Sequence, residues 1–322
     1  MLEKRKLREK LILNLKIFIF ISFISILVIF IKTTSPKTLY ALRNTSFIFI
    51  LLSILTTGMR FFSDIIRSIF ISRALGKNLG IRSSTLFILS GQFLGGLTPF
   101  QIGGVPLQIY FLKKDGITIP EGSAIILTRG ILSAIAFPFF LPFIFLKTGS
   151  FNSPVFLGLF YYLLFFYSFF FIIFILIFLG VKIKRFQNLS SGIERFKEIF
   201  LKDFAKRKKE ILFAFIFTII SLIFYFITAP FILKGLGVNI DFIKVSLLQI
   251  ILTYSLNFLP TPASSGFAEF GAYGIFKDVC PYELLGIYII LWRFITCYLG
   301  VILGGIISSY YLIKRGKSCS CP

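Results

Sequence analysis

Five long apolar runs constrain this chain more than any other feature of its sequence. They cover Leu11–Ile31, Phe47–Met59, Val155–Val181, Ile211–Leu233 and Leu284–Leu312. A helix needs about 20 residues to cross the hydrocarbon core of a bilayer, and the second run reaches that length only if the helix extends from Thr45 to about Ile65. Because 57% of the residues are apolar and only 13 are acidic, the sequence predicts an all-α polytopic membrane protein.

The formal charge of +22 comes from basic residues that lie mainly between the apolar runs. Lys and Arg accumulate on the cytoplasmic side of membrane proteins, so the basic segments Met1–Lys10 and Lys182–Glu210 and the tail after Leu312 are expected inside the cell. With those segments inside, 23 of the 35 basic residues are cytoplasmic, 7 are outside and five lie within helices. We therefore expect a multi-pass plasma-membrane protein with both termini in the cytoplasm, and no nucleic-acid partner.

Two segments cannot be simple crossings under this topology. Residues 85–112 begin and end beside cytoplasmic basic residues, and residues 242–283 begin and end on the opposite side. Each segment must therefore enter and leave the membrane by one face, and a further crossing at Ser123–Leu146 restores the alternation. The sequence predicts about six spanning helices plus two re-entrant hairpins, each made of a broken helix.

The two hairpin segments share an ordered series of residues. The first contains Thr98-Pro99, Lys114-Asp115 and Arg129, and the second contains Thr261-Pro262, Lys277-Asp278 and Arg293, with 16 residues from Thr to Lys in both. The sequence predicts inverted membrane repeats at residues 1–148 and 149–322, an arrangement common in secondary transporters. The alternative is that Pro and Gly only kink ordinary transmembrane helices.

Helix breaks and charges within the membrane mark the candidate site. Charged side chains inside a membrane are costly and usually face a cavity or a partner, which applies to Arg129 and Arg293. Glu269 is the expected counter-charge of Arg293, either in a structural ion pair or beside a substrate-contacting arginine. Half-helices starting near Gly104 and Gly266 present unpaired N–H groups that suit an anionic phosphate. The predicted substrate-binding residues are Pro99, Gln101, Gly103, Gly104, Arg129, Pro262, Gly266, Glu269 and Arg293.

A further set of charged residues is expected to be structural. Arg60, Asp64 and Arg67 lie on one helix face at spacings of four and three, and we expect a self-neutralising cluster close to the cytoplasmic interface. The chain contains no His and four Cys. Neither a metal site nor a cofactor is expected, and no catalytic residue is assigned.

The segments around the two predicted breaks resemble one known family. Residues 97–106 read L-T-P-F-Q-I-G-G-V-P, and residues 259–269 read L-P-T-P-A-S-S-G-F-A-E, with Trp292-Arg293 following. At these positions the chain resembles the lysylphosphatidylglycerol synthase transmembrane-region family, a flippase-like membrane domain found alone or fused to an aminoacyltransferase domain. Ala263 and Ser264 stand where the family usually has Gly-Gly.

The resemblance implies that the chain translocates an anionic lipid, such as an aminoacylated or glycosylated phospholipid or a polyprenyl-phosphate sugar. Lysyl transfer by this family needs a soluble domain, and only ten residues follow Leu312, so we expect no lysyltransferase activity from the chain alone. Two alternatives remain open. One is an integral membrane transferase in which Glu269 acts as a base, and the other is a membrane partner that delivers lipid to a separately encoded lipid-modifying enzyme.

Overall fold

The computed structural model describes residues 45–147, 154–178 and 206–316, together with scattered single positions between 20 and 43. Most of the predicted helix Leu11–Ile31, most of the predicted basic loop Lys182–Glu210 and the end of the tail lie outside the described residues. Within the described ranges all regular structure is helical. The predicted all-α class is therefore confirmed.

Eleven α-helices fill the described ranges, and a five-residue π-helical turn, Phe294–Tyr298, joins the last two. They are α1 (Phe47–Ala74), α2 (Ile81–Gly96), α3 (Gly104–Lys114), α4 (Ile119–Lys147), α5 (Pro154–Phe178), α6 (Lys208–Phe226), α7 (Thr228–Gly235), α8 (Phe242–Leu256), α9 (Phe267–Phe276), α10 (Tyr282–Arg293) and α11 (Leu299–Gly316).

Four stretches in the described ranges are long and apolar enough to cross a membrane. They are Phe47–Ala74, Ile119–Ile144, Lys208–Gly235 and Tyr282–Leu312, of which the last two join consecutive helices. Pro154–Phe169 and Phe242–Leu256 are shorter apolar helices. A helix within a bilayer satisfies its own backbone hydrogen bonds, which is why apolar runs of this length adopt it. The chain is a polytopic membrane protein.

The first predicted hairpin consists of α2 and α3, which run antiparallel on either side of a break at residues 97–103. The Gln108 side chain donates a hydrogen bond to the carbonyl oxygen of Phe87 at 3.2 Å, and a Cβ atom added to Gly104 would lie 2.7 Å from the carbonyl oxygen of Gly91. Gly104 is therefore needed for the close contact of the two helices. The predicted interruption of the helix around Pro99 is confirmed.

The second predicted hairpin consists of α8 and α9, separated by a break at residues 257–266. Here a Cβ atom on Gly271 would lie 3.0 Å from Leu252, and the Ser264 hydroxyl donates to the carbonyl oxygen of Leu256 at 2.7 Å. Both breaks bring the chain back beside its preceding helix. The division of the chain at residue 149 into two inverted repeats stays a prediction.

Two apolar clusters hold the helices together. The larger one joins α5, α8, α9 and α10 through buried residues such as Ile251, Phe276 and Tyr288. The second joins α1, α2 and α4 through residues that include Phe87 and Ile125. Elements from both clusters surround the cavity described next.

Candidate functional site

A cavity of about 510 Å³ is lined by parts of α1, α2, α4, α5, α6, α8, α10 and α11, and by both helix breaks. Its charged lining consists of four arginines and one carboxylate: Arg60, Arg67, Arg129, Arg293 and Asp64. A set with this excess of positive charge is unusual within an apolar bundle, because buried charges are costly unless they are paired. The partners of each charge therefore decide what the cavity can bind.

Arg60, Arg67 and Arg129, here called the arginine group, are close to a single carboxylate. Oδ1 of Asp64 forms an ion pair with Nη2 of Arg67 at 2.9 Å and accepts a hydrogen bond from the hydroxyl of Ser221, also at 2.9 Å. Nη2 of Arg129 lies 4.0 Å from the other oxygen of Asp64. One negative charge on α1 thus serves three positive ones, and the group keeps an excess of two.

Several N–H groups of the arginine group are buried without a hydrogen-bond partner among the described residues. These atoms are Nε and Nη2 of Arg60, Nε of Arg67 and Nε of Arg129. Arg67 is anchored through Nη1, which donates to the hydroxyl of Ser133 at 3.0 Å. Leaving a buried donor unsatisfied costs about 1–3 kcal/mol, and more for a charged group. The arginine group therefore has buried donors that no described residue satisfies.

Aromatic rings hold two of these guanidinium groups in place. Arg60 lies 4.4 Å from the ring centre of Phe61 and 4.9 Å from that of Tyr225. Arg129 lies 5.1 Å from the ring centre of Phe87. These cation–π contacts orient the guanidinium planes and use none of their hydrogen-bond donors.

Arg293 is satisfied by the protein itself. Its Nε donates to Oε1 of Glu269 at 2.8 Å, and its Nη2 donates to the carbonyl oxygen of Ala263 at 3.0 Å. Oε2 of Glu269 accepts from the backbone N–H of Gly266 at 2.6 Å. The predicted pairing of Arg293 with Glu269 is confirmed, and it fixes the second break against α10.

The starts of the two half-helices are capped from within the protein. Glu269 occupies the N-terminus of α9 through its contact with Gly266. At the start of α3, the N–H of Gly103 donates to the hydroxyl of Thr98 at 2.8 Å. One backbone N–H at each of the helix ends predicted to attract a phosphate thus already has an acceptor, whereas four N–H groups of the arginine group have none among the described residues.

The two breaks share one backbone conformation. In the first, Phe100 and Gln101 have φ angles of 52° and 58°, and in the second, Ala263 and Ser264 have φ angles of 47° and 55°. Each pair follows a Thr-Pro step, and the two breaks pack against each other. The left-handed region costs a non-glycine residue about 1–2 kcal/mol, so two adjacent cases at matching positions indicate a shared construction.

The structure separates the predicted site residues that line the cavity from those that do not. Gln101, Arg129 and Arg293 line the cavity. Glu269 contacts Arg293 from behind the wall. The others shape the breaks without lining the cavity: Pro99, Gly103, Gly104, Pro262 and Gly266.

The sequence reasoning missed the larger part of the charged lining. Arg67 does pair with Asp64 as expected, but Arg60, Asp64 and Arg67 line the cavity rather than forming a cluster near the helix end. The reason is that α1 continues to Ala74, which puts Arg60 at its midpoint. Predicting a longer helix from the sequence would have placed these charged residues away from the helix end. Ser133 and Ser221 carried no signal, because their role depends on packing between helices.

Comparison with known proteins agrees with this architecture. The family model described as the lysylphosphatidylglycerol synthase TM region matches residues 13–304, which include both breaks and every cavity arginine. A protein of Archaeoglobus fulgidus described as a UPF0104 membrane protein is 24% identical over 308 residues, covering 89% of this chain and 94% of that protein. The chain belongs to the lysylphosphatidylglycerol synthase transmembrane-region family.

Proposed function

We propose that this chain moves a lipid with an anionic headgroup between the two leaflets of the plasma membrane, and that the arginine-lined cavity receives the headgroup. The observation that carries the proposal is the arginine group, in which three guanidinium ions have a single carboxylate near them and four buried N–H groups have no partner among the described residues. Guanidinium donors match the geometry of a phosphate better than any other side chain does.

The charge of the cavity supports an anionic cargo. The three positive charges of the arginine group are offset by Asp64 alone, and Glu269 neutralises Arg293 from outside the lining. Two positive charges therefore remain within a wall that also contains apolar residues such as Leu222 and Val301. An anion that enters the cavity would neutralise buried arginine charges that lack a partner, and this favours its binding.

The construction of the breaks supports movement rather than static binding. Transporters often place substrate sites where paired helices are interrupted near the middle of the membrane. Both breaks here have the same backbone conformation, contact each other and contribute to the cavity wall. A change at their contact would alter access to the cavity from one side or the other.

The transferase alternative receives less support. A general base needs an oxygen free to take a proton, but Glu269 is fully buried and both of its oxygens accept hydrogen bonds. Asp64 is likewise bound by Arg67 and Ser221. A separately encoded lipid-modifying enzyme would produce or consume the lipid that this chain moves.

Transport is tested by reconstituting the purified protein in liposomes that contain a trace of head-labelled fluorescent phosphatidylglycerol. Dithionite added outside bleaches the outer leaflet, and protein-dependent movement bleaches the inner pool as well. Arg129→Gln is expected to slow this second phase by about tenfold, because one guanidinium contact with a phosphate is worth at least about 1.4 kcal/mol. Lys113→Gln removes an exposed positive charge and should leave the rate unchanged. Failure of the wild-type protein to move any anionic lipid overturns the proposal.

The proposed orientation places both termini in the cytoplasm. The basic residues of the loops support it, since Lys and Arg determine which side of the membrane a short loop occupies. Fusing a reporter that is active only in the cytoplasm to the C-terminus tests this arrangement. Activity of a periplasmic or extracellular reporter at the same position would contradict it.

A further inference from the structure

The cavity offers no free carboxylate. Of the eight acidic residues within the described ranges, Asp64 alone lines the cavity, and Glu269 stands behind Arg293. Asp64 is paired through Oδ1 with Arg67 and Ser221, and its Oδ2 lies 4.0 Å from Arg129. Both oxygens of Glu269 accept hydrogen bonds, from Arg293 and from Gly266. An ammonium group that entered would meet an excess of positive charge and no unpaired acid.

The aromatic rings of the wall do not compensate for this. Of the lining rings, Tyr225 already carries the guanidinium of Arg60, and Phe87, behind the lining, carries that of Arg129. Tyr167 and Tyr254 pack on Phe137, with ring centres 4.7 Å and 4.6 Å from it. At Tyr225 a cationic headgroup would have to displace Arg60 to obtain a cation–π contact.

Uncharged polar side chains make up much of the remaining lining. Gln92 comes from α2, Gln101 from the first break, Thr253 from α8, and Asn257 and Ser264 from the second break. Amide and hydroxyl groups donate and accept at once, which suits the hydroxyls of a sugar or a polyol. The breaks therefore provide a neutral surface beside the arginine group.

From these observations we infer that the cavity selects a lipid whose headgroup combines an anionic phosphate with an uncharged, hydroxyl-bearing remainder, and that it rejects aminoacylated headgroups. The arginine group holds the phosphate, and Gln92, Gln101 and Asn257 contact the hydroxyls. This inference rests on the proposed function and narrows its cargo. Both a glycerophospholipid with a polyol headgroup and a polyprenyl-phosphate sugar have this chemistry.

Competition binding separates these cargoes. Purified protein in detergent is incubated with equimolar phosphatidylglycerol, its lysine ester and a polyprenyl-phosphate hexose, and bound lipids are quantified by native mass spectrometry. Either hydroxylated phosphate lipid should be retained at least about tenfold over the lysine ester, and the more strongly retained one identifies the source. Equal or stronger retention of the lysine ester overturns the inference.

Gln101→Glu tests the electrostatic reason, since it adds a carboxylate to the lining with almost no change in shape. The discrimination against the lysine ester should fall by about tenfold in Gln101→Glu because retention of the ester rises. Gln101→Met loses a hydroxyl contact without adding charge, so it should weaken retention of the hydroxylated lipid but should not raise retention of the ester. Unchanged discrimination in Gln101→Glu, in protein with a wild-type melting temperature, shows that charge is not the cause and overturns the inference.

The two levels of the proposal fail in different ways. If the lysine ester crosses liposome membranes as fast as phosphatidylglycerol, transport stands and the headgroup inference is wrong. If the binding preference is found but no lipid changes leaflet, the headgroup inference stands and transport is wrong.

Discussion

The Glu269→Gln substitution should destabilise the protein strongly while hardly changing its shape. Glu269 is fully buried and Arg293 is 3% exposed, so water cannot screen the charge that remains after the substitution. The amide keeps one acceptor for either Arg293 or Gly266, but it cannot neutralise the guanidinium. Arg293 also borders the cavity, and its uncompensated charge would loosen the second break.

The magnitude follows from the burial of the pair. Removing one partner of a buried ion pair costs about 3–5 kcal/mol. Since domains of 150–250 residues lose about 2–4 °C of Tm per kcal/mol, the apparent Tm should fall by on the order of 10 °C. The double variant Glu269→Gln with Arg293→Gln removes both charges and should recover at least about half of that loss, because deleting a whole buried pair is often nearly neutral.

Thermal unfolding in detergent micelles at one fixed scan rate measures these changes. The single tryptophan of the chain, Trp292, is buried beside Arg293 and supplies the fluorescence signal. Asp278→Asn removes an exposed carboxylate and serves as the control, with an expected shift near zero. A loss below about 1 kcal/mol in Glu269→Gln, or a double variant as unstable as the sum of the singles, would refute the reasoning.

Four further substitutions are tested by the same melting assay. Gly304→Ala should cost about 1–3 kcal/mol of stability, because the added Cβ would collide with the backbone carbonyl of Leu89. Gly58→Ala should instead stabilise α1 by about 0.5–1 kcal/mol, because the added Cβ meets no atom within 4 Å. Lys77→Ala removes a partly exposed 3.3 Å ion pair with Glu121 and should cost less than about 1 kcal/mol. Phe100→Gly relieves a φ of 52° on an exposed side chain and should leave the Tm unchanged or higher, so a clear fall contradicts the strain argument.

The sequence predicted those parts of the fold that depend on local chemistry. Pro99 and Pro262 interrupt their helices, since Pro lacks the N–H that a helix needs, and the glycines that follow them permit a close return of the chain. Proline alone is not sufficient for a break, because Pro138 and Pro142 lie within α4. The pairing of Arg293 with Glu269 was also predictable, because each of the two charges needed a partner within an apolar segment.

The charged lining was predictable only in part. Whether Arg60 and Asp64 face a cavity depends on how α4 and α6 pack against α1, and no local pattern in the sequence records this. The length of α1 was underestimated because its apolar run ends at Met59. The charged residues that follow are typical of the end of a membrane segment. The contact of Glu269 with the backbone of Gly266 at the start of α9 was not predicted, because the carboxylate was considered only as a partner of Arg293.

The charged residues within α1 have a consequence for biosynthesis. A charged residue at the centre of a transmembrane helix costs about 2.5–3.5 kcal/mol during insertion, and α1 contains Arg60, Asp64 and Arg67. The hydroxyls that bind them follow much later in the chain, Ser133 by 66 residues and Ser221 by 157. While the ribosome is still producing α4 and α6, the charges of α1 have only the Asp64–Arg67 pair within the helix itself. Its final placement in the bilayer must therefore wait for helices that are synthesised after it.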